Sequence, residues 1–328
     1  MTGGAIDVHA HWFPPAYMAL MREIGAAGGA SAKRARLTYE HPTRARDPIY
    51  TAGIPERLSL MDAAGIRTHI LSFSSPNLWD PDPTVRSHVV RAFNDGCIAL
   101  AREHPGRFKL FANVPLPHVA EALAETERMC ADPDVVGIGM CTHIGDGVID
   151  DPRFAPVYED WDRRGLVVLV HPDGFCVEGL LDAYGMEWGI GSPFEDQIAT
   201  LRLLRSGMVA RYPRITWIIP HLGGTLPFLY ERIDQLGRRA GPGGSPLPPL
   251  RDQLRSLLFD IVTPSAASLR LAREMLGAAS LIHGSDFPYV SRDDLTMGEQ
   301  LLGEAGFTPA EKAAVLSGTI LARIPALA

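Results

Sequence analysis

The chain alternates between short apolar runs rich in β-branched residues and longer segments in which apolar residues recur at helical spacing. Such alternation is typical of parallel strands joined by crossover helices. Eight strand and helix units in 328 residues predict an α/β fold, a (β/α)8 TIM barrel with insertions. An open doubly wound sheet is the alternative, but no GxGxxG motif follows the first strand. The predicted strands are residues 5–9, 68–73, 108–114, 135–141, 166–171, 215–221, 257–262 and 280–285.

Two segments are too long to be simple connections between these strands. Residues 12–54 follow the first strand, and residues 173–195 follow the fifth. Both insertions leave the carboxyl ends of strands, which is where a barrel keeps its active site. We therefore expect them to form lids or walls for a substrate. The predicted helices are residues 55–65, 84–103, 118–131, 152–164, 196–211, 225–238, 265–277 and 308–321.

Polar residues end four of the predicted strands. His9 and His11 close the first strand, His171 the fifth, His221 the sixth, and Asp286 follows the eighth. His9 and His11 are two residues apart, so their side chains lie on the same face of the strand. A structural role for His9 and His11, as core or capping histidines, would account for their spacing. It would not account for the polar residues at the ends of the other strands. Imidazole and carboxylate groups are ligands of a divalent ion such as zinc, so the sequence predicts a metal site.

The composition narrows the class of protein further. A hydrophobic fraction of 46% is typical of a large globular core, and we expect one domain over residues 1–328. The net charge of −7 gives no basic surface for nucleic acid. The four cysteines have no CxxC spacing, and no run of about 18 apolar residues occurs. These features favour a cytoplasmic enzyme without a membrane or nucleic-acid partner.

Six segments of the chain resemble the amidohydrolase superfamily, within the branch typified by aminocarboxymuconate-semialdehyde decarboxylase. The resemblance covers essentially the full chain and implies a distorted (β/α)8 barrel with one divalent metal ion. The segments are IDVHAH (6–11), VLVHP (168–172), GIGSPFE (189–195), PHLGG (220–224), PFLYERI (227–233) and HGSDFP (283–288).

The resemblance implies that His9, His11, His171 and Asp286 bind the metal and that His221 lies beside it. Many hydrolases of the superfamily hold two metal ions, bridged by a carbamylated lysine on the fourth strand. The fourth predicted strand here contains no lysine, which favours a site for one ion. We expect zinc, with manganese as the alternative.

Catalytic roles follow from the chemistry of these groups. His221 can take or give a proton near neutral pH. Asp286 can bind the ion through one oxygen and move a proton with the other. In aromatic acid decarboxylases of this branch, an aspartate in this position is thought to protonate the ring carbon before CO2 leaves.

A carboxylate substrate also needs a cation, and the first insertion carries arginines that include Arg34, Arg36, Arg44 and Arg46. The family places a carboxylate-binding arginine near Arg44 or Arg46. The sequence does not decide between these two residues, and it also leaves open that they belong to a solvated basic loop.

Trp188 matches a pocket tryptophan of the family, although a core tryptophan fits as well. Arg232 matches an arginine that enters the neighbouring subunit's site, which predicts a homodimer. The alternative is a helix-surface arginine.

The sequence favours non-oxidative decarboxylation of a hydroxylated aromatic or conjugated carboxylic acid. The segments FPPAY (13–17) and GIRTHILSFSSP (65–76) resemble proteins grouped with 6-methylsalicylate decarboxylase. The leading alternative is a hydrolase, such as a lactonase or amidase, because a metal-bound water is already a suitable nucleophile. A zinc-stabilised binding protein is disfavoured, because structural zinc sites are closed by four ligands.

Overall fold

Eight parallel strands pair in chain order in the computed structural model, which describes residues 4–145, 147–173, 181, 185–237, 248–290 and 294–327. A parallel bridge between Ala10 and Phe287 brings the last segment back to the first strand, so the sheet nearly closes into a barrel. The barrel strands are β1 (Ala5–His11), β2 (Ile66–Ser72), β3 (Phe108–Asn113), β4 (Val135–Cys141), β7 (Val167–His171), β8 (Thr216–Ile219), β9 (Leu258–Asp260) and β10 (Leu281–Ile282). A short antiparallel hairpin, β5 (His143–Ile144) with β6 (Gly147–Val148), follows β4.

Helices surround this sheet and cover its outer face. Among the described residues they are α1 (Pro15–Ala27), α2 (Ala32–Glu40), α3 (Pro42–Arg46), α4 (Ile54–Ala63), α5 (Pro83–Glu103), α6 (Val119–Cys130), α7 (Ala155–Arg164), α8 (Ser192–Arg205), α9 (Met208–Arg211), α10 (Leu226–Gly237), α11 (Leu250–Leu254), α12 (Ala266–Leu276), α13 (Met297–Glu304), α14 (Pro309–Ala313) and α15 (Thr319–Arg323). None of these helices is long and apolar enough to cross a membrane.

The strands are apolar on both faces because both faces are covered. Side chains such as Ile6, Ile70, Phe111, Leu169 and Ile218 pack together in the barrel interior. A second, larger cluster lies between the outer face of the sheet and the helices. Burying each large aliphatic side chain contributes about 1.5–3 kcal/mol, which is why these strands appear in the sequence as nearly continuous apolar runs.

The predicted barrel is confirmed, with differences at its edges. β9 and β10 are shorter than predicted, and beyond β10 the backbone carbonyls of His283 and Phe287 accept hydrogen bonds from Val8 and His11 of β1. The predicted helix 196–211 is divided at Gly207, which has a positive φ of 79°. That the chain forms a single domain stays a prediction.

The first insertion is largely helical, which its glycine, proline and arginine content did not predict. It contains α1, α2 and α3. Pro14 and Pro15 start α1, where a missing N–H costs no helical hydrogen bond, and Gly28 ends it with a φ of 81°. Ala35 and Met21 pack into the outer core, so the insertion is fixed on the barrel and its end reaches the barrel mouth.

Candidate metal centre

The four predicted metal ligands converge at the carboxyl end of the barrel. The candidate ligand atoms of His9, His11, His171 and Asp286 all lie within 4.8 Å of one another. The Nε2 atoms of His9 and His11 are 3.0 Å apart, and Asp286 Oδ1 lies 3.5 and 3.2 Å from them. All four residues are buried. The structure therefore brings together, from three separate parts of the chain, the residues that the sequence singled out.

The outer nitrogen of each imidazole is held by an acceptor. His11 Nδ1 donates to the Ser72 carbonyl at 3.0 Å, and His171 Nδ1 donates to the Pro172 carbonyl at 2.7 Å. His9 Nδ1 contacts the Asp260 carboxylate at 2.6 Å. A proton on Nδ1 leaves a lone pair on Nε2, aimed into the site. Facing lone pairs repel each other unless a cation lies between them, so this donor set fits a divalent metal ion.

The lysine content of the region favours a single ion. β4 contains no lysine, and Lys109 on β3 bonds to the Asp134 carboxylate at 2.8 Å and to the Pro133 carbonyl at 3.1 Å. Its amine is thus engaged at the start of β3, whereas the candidate ligands lie at the carboxyl ends of their strands.

His221 lies beside the ligands and is held by two carboxylates. Its Nδ1 contacts Asp196 Oδ2 at 2.8 Å, and its backbone N–H donates to Asp260 Oδ1 at 2.8 Å. Its Nε2 faces Asp286 Oδ2 at 3.6 Å. Burial lowers the pKa of His221, but the Asp196 and Asp286 carboxylates outweigh burial and raise it well above the ordinary value. The ring can therefore hold a proton toward the site.

Asp286 adopts an uncommon backbone conformation. Its φ is 54°, in the left-handed region that a non-glycine residue seldom occupies. Burial raises the pKa of Asp286, but His9, His11 and His221 outweigh it, and the pKa lies well below the ordinary value. The carboxylate is therefore ionised, with Oδ1 toward the imidazoles of β1 and Oδ2 toward His221.

A cavity of about 720 Å³ opens above these residues. His171, His221 and Asp286 lie in its wall, and the two insertions supply other parts of the lining. Hydroxyl groups and apolar side chains alternate around it, among them Ser74, Ser192, Thr225, Val262, Thr263 and Pro264. A space of this size, lined by apolar side chains together with convergent polar groups, suits a small organic ligand.

The arginines of the first insertion lie in different places. Arg44 is buried in the cavity wall, whereas Arg46 is exposed and is not part of the lining. Arg44 Nε donates to the Tyr289 hydroxyl at 2.6 Å, and its guanidinium lies 4.6 Å from the centre of the Phe13 ring. Arg34 pairs with the buried Asp173.

The two remaining residues that were predicted to bind substrate, Trp188 and Arg232, also lie in different places. Trp188 lines the cavity and is 38% exposed, with its ring centre 6.2 Å from that of His41. Arg232 lies on an exposed part of α10 and is not in the lining of its own chain's cavity. His143 Nε2 lies 3.5 Å from Asp173 Oδ2.

Sequence reasoning missed three residues of the site: Asp196, Tyr289 and His41. Asp196 lies on a helix, and nothing in the local sequence indicates that an acidic residue there belongs to the site. Tyr289 follows Asp286 by three residues and could have been included with that strand end. Burial and Arg44 lower the pKa of His41 to about 4, so its ring is neutral at neutral pH. Its Nδ1 is buried and has no hydrogen-bond partner among the described residues.

Comparison with known proteins connects this site to one family. A family model described as amidohydrolase matches residues 6–322. The chain is 29% identical to the 6-methylsalicylic acid decarboxylase of Penicillium expansum over 98% of this chain and 96% of that protein. It is 30% identical to decarboxylase yanB of Aspergillus niger over 87% of this chain and 77% of that protein.

A solved structure has the same overall fold. The 5-carboxyvanillate decarboxylase LigW of Sphingomonas paucimobilis superposes with a TM-score of 0.85 at 25% identity. The alignment covers 98% of this chain and 99% of that one.

Proposed function

The chain belongs to the amidohydrolase family, and on that premise we propose that it is a metal-dependent decarboxylase. Its substrate is a hydroxylated aromatic or conjugated carboxylic acid, which loses its carboxylate as CO2 without oxidation. The observation that carries this proposal is the position of His221 beside the candidate ligand Asp286, with both side chains in the wall of the cavity. The decarboxylases to which the chain is similar support the same reaction.

We assign the metal to His9, His11, His171 and Asp286, and we propose zinc. Three imidazoles and one carboxylate are a common ligand combination for zinc, with manganese as the alternative. A divalent ion bound there supplies positive charge that holds and polarises the oxygen atoms of the substrate.

The protein residues handle the proton. Decarboxylation needs a proton at the carbon that carries the carboxylate, so that the C–C bond can break and CO2 can leave. His221 Nε2 and Asp286 Oδ2 are 3.6 Å apart and both line the cavity, so together they can hold this proton and deliver it. Asp196 holds His221 Nδ1 and so keeps Nε2 directed at the substrate.

Arg44 is the proposed contact for a substrate carboxylate or hydroxyl. Three described bonds, to the Tyr289 hydroxyl and to the carbonyls of Thr38 and Ser75, fix its guanidinium in the wall. A guanidinium has five N–H donors, so these bonds orient it and do not exhaust it. Trp188 and Tyr289 supply aromatic surface on which a ring can pack.

Loss of CO2 with proton delivery is the expected reaction, and heavy water tests it. The purified metal-loaded protein is incubated in D2O with hydroxylated aromatic acids, and CO2 and product are measured. We expect a product that carries deuterium on the carbon that lost CO2. The hydrolase alternative predicts a different outcome: turnover of an ester, lactone or amide, 18O from water in the new carboxylate, and no CO2 from any acid. That result would overturn the proposal.

We also propose that the working unit is a homodimer in which Arg232 enters the partner's cavity. Phe228, Arg232 and Leu236 lie four residues apart on α10 and so share one face of that helix. Phe228 is 79% exposed and Leu236 is 70% exposed, which is unusual for large apolar side chains unless a partner covers them. This apolar face around an arginine supports a subunit interface.

Mixing two inactive variants tests the dimer. Arg232→Ala and His221→Ala chains are each expected to be inactive, because each lacks one component of every site. After subunit exchange, the mixture should recover about a quarter of wild-type activity, since half of the dimers are then mixed and each has one intact site. A mixture of His221→Ala with Asp286→Asn is the control and should stay inactive, because both residues serve their own chain's site. No recovery in the first mixture would contradict the role of Arg232.

The remaining sequence predictions concern partners and location. The proposed partner of the cavity is a small-molecule acid. The absence of nucleic-acid and membrane partners and the cytoplasmic location stay predictions.

A further inference from the structure

We propose that Asp7 is a positioning residue of the metal centre, and that its carboxylate sets the direction of two ligands, His9 and Asp286. The inference rests on the metal centre of the proposed function. Asp7 is fully buried and does not belong to the cavity lining. It therefore acts on the site through the residues that it holds and not through contact with a substrate.

The first effect concerns a bulge in β1. Between Asp7 and Ala10 the strand advances three residues while its partner β2 advances two. A bulge of this kind interrupts the alternation of side chains between the two faces of a sheet. Val8 packs in the barrel interior, and the next residue, His9, also points inward to the ligand cluster. Asp7 Oδ1 accepts the backbone N–H of His9 at 3.0 Å, and this bond spans the bulge.

The second effect concerns the turn that carries Asp286. Asp7 Oδ1 accepts the backbone N–H of Ser285 at 3.1 Å, and Asp7 Oδ2 accepts the Ser285 hydroxyl. The Ser285 oxygen in turn accepts the N–H of Phe287 at 3.1 Å. These bonds lie on both sides of Asp286 and hold its φ of 54°. A non-glycine residue keeps such a conformation only where its surroundings determine it.

One carboxylate thus joins segments from opposite ends of the chain. Strand β1 and the turn are also joined directly, by the Asp286 N–H that donates to the His9 carbonyl at 2.8 Å. Without the Asp7 carboxylate, the N–H of His9 loses this acceptor, and the Ser285 hydroxyl and backbone N–H lose their bonds to Asp7. His9 and Asp286 then sample other directions, so the geometry of the metal site changes in addition to the stability of the fold.

Metal affinity and the visible spectrum of the cobalt-loaded protein test this role. Asp7→Ala is expected to weaken Zn2+ binding by about 10- to 100-fold, as is typical for residues that orient metal ligands. Its Co2+ absorption bands should shift, because they report the arrangement of the ligands. Asp7→Asn retains one acceptor oxygen and should lose less affinity. Ser285→Ala removes only a hydroxyl, and it should give the same kind of spectral shift even where Asp7→Ala does not fold.

Glu125→Ala is the matched control. Glu125 is another buried carboxylate with several hydrogen bonds, to Asn94 and Arg128, and it lies on α6 away from the ligands. This variant should lower the unfolding temperature without changing Zn2+ affinity or the Co2+ spectrum. The inference is wrong if folded Asp7→Ala and Ser285→Ala both keep wild-type affinity and spectrum. A wild-type protein that binds no divalent ion would instead contradict the metal centre of the proposed function.

Discussion

Replacing His221 with asparagine is expected to lower turnover by about a hundredfold to ten-thousandfold, the usual contribution of a general acid or base. The reason is its position: Nε2 lies 3.6 Å from Asp286 Oδ2, and Asp196 holds the opposite nitrogen. Asparagine can preserve a polar contact but cannot carry a proton at neutral pH. The measurement is the steady-state rate of CO2 release, together with metal content, which should stay at about one ion per chain because His221 is outside the ligand set.

His143→Asn is the control for this substitution. His143 is a histidine on the β5 hairpin after β4, and its described ionic neighbours are Asp173 and Glu195. Its replacement should leave turnover near the wild-type value. Wild-type turnover in His221→Asn would contradict the proposed proton transfer. Asp286→Asn should also abolish turnover, but it is a less specific test, since it changes a proposed metal ligand as well.

Removing the metal is expected to abolish decarboxylation. Treatment with a chelator should give an inactive protein, and adding back Zn2+ or Mn2+ should restore turnover and show which ion is the more effective. His9→Ala and His171→Ala should lose both metal and activity, because each supplies one of the four converging ligands. Elemental analysis of the wild-type protein should find about one divalent ion per chain, as expected for a site without a bridging lysine.

The control for the ligand variants is His88→Ala, which replaces an exposed histidine on α5 and should retain the ion. Two tightly held ions per chain would contradict the single-metal site. Full turnover in a chelated protein shown to contain no metal would contradict the role of the ion altogether.

Both predictions use residues that were identified from the sequence alone, and this was possible for a local reason. A buried parallel strand is a nearly continuous apolar run, so a histidine or aspartate at its carboxyl end is conspicuous. Carboxyl ends of strands in a barrel meet at one mouth. Strand order and the polarity of strand ends therefore predicted that His9, His11, His171, His221 and Asp286 would meet, and they do.

The choice between Arg44 and Arg46 could not be made from local sequence patterns. The two residues lie two apart on α3, and residues at that spacing point to different sides of a helix. The two are not expected to face the cavity together, but the sequence does not give the rotation of a short helix inside an insertion. Packing of the insertion against Phe13 and Tyr289 sets that rotation, and it places Arg44 in the wall.

The sequence by itself determined the barrel fold, the strand ends and the types of ligand residue. These features follow from burial and spacing within short segments. Only the tertiary structure decided which group each supporting carboxylate holds. Asp260 is 251 residues from its partner His9, Asp196 is 25 from His221, and Asp7 is 278 from Ser285. The two long-range pairs depend on the closure of the whole sheet and on a bulge of one residue in β1. No local periodicity encodes contacts that form only when distant strands reach their final register.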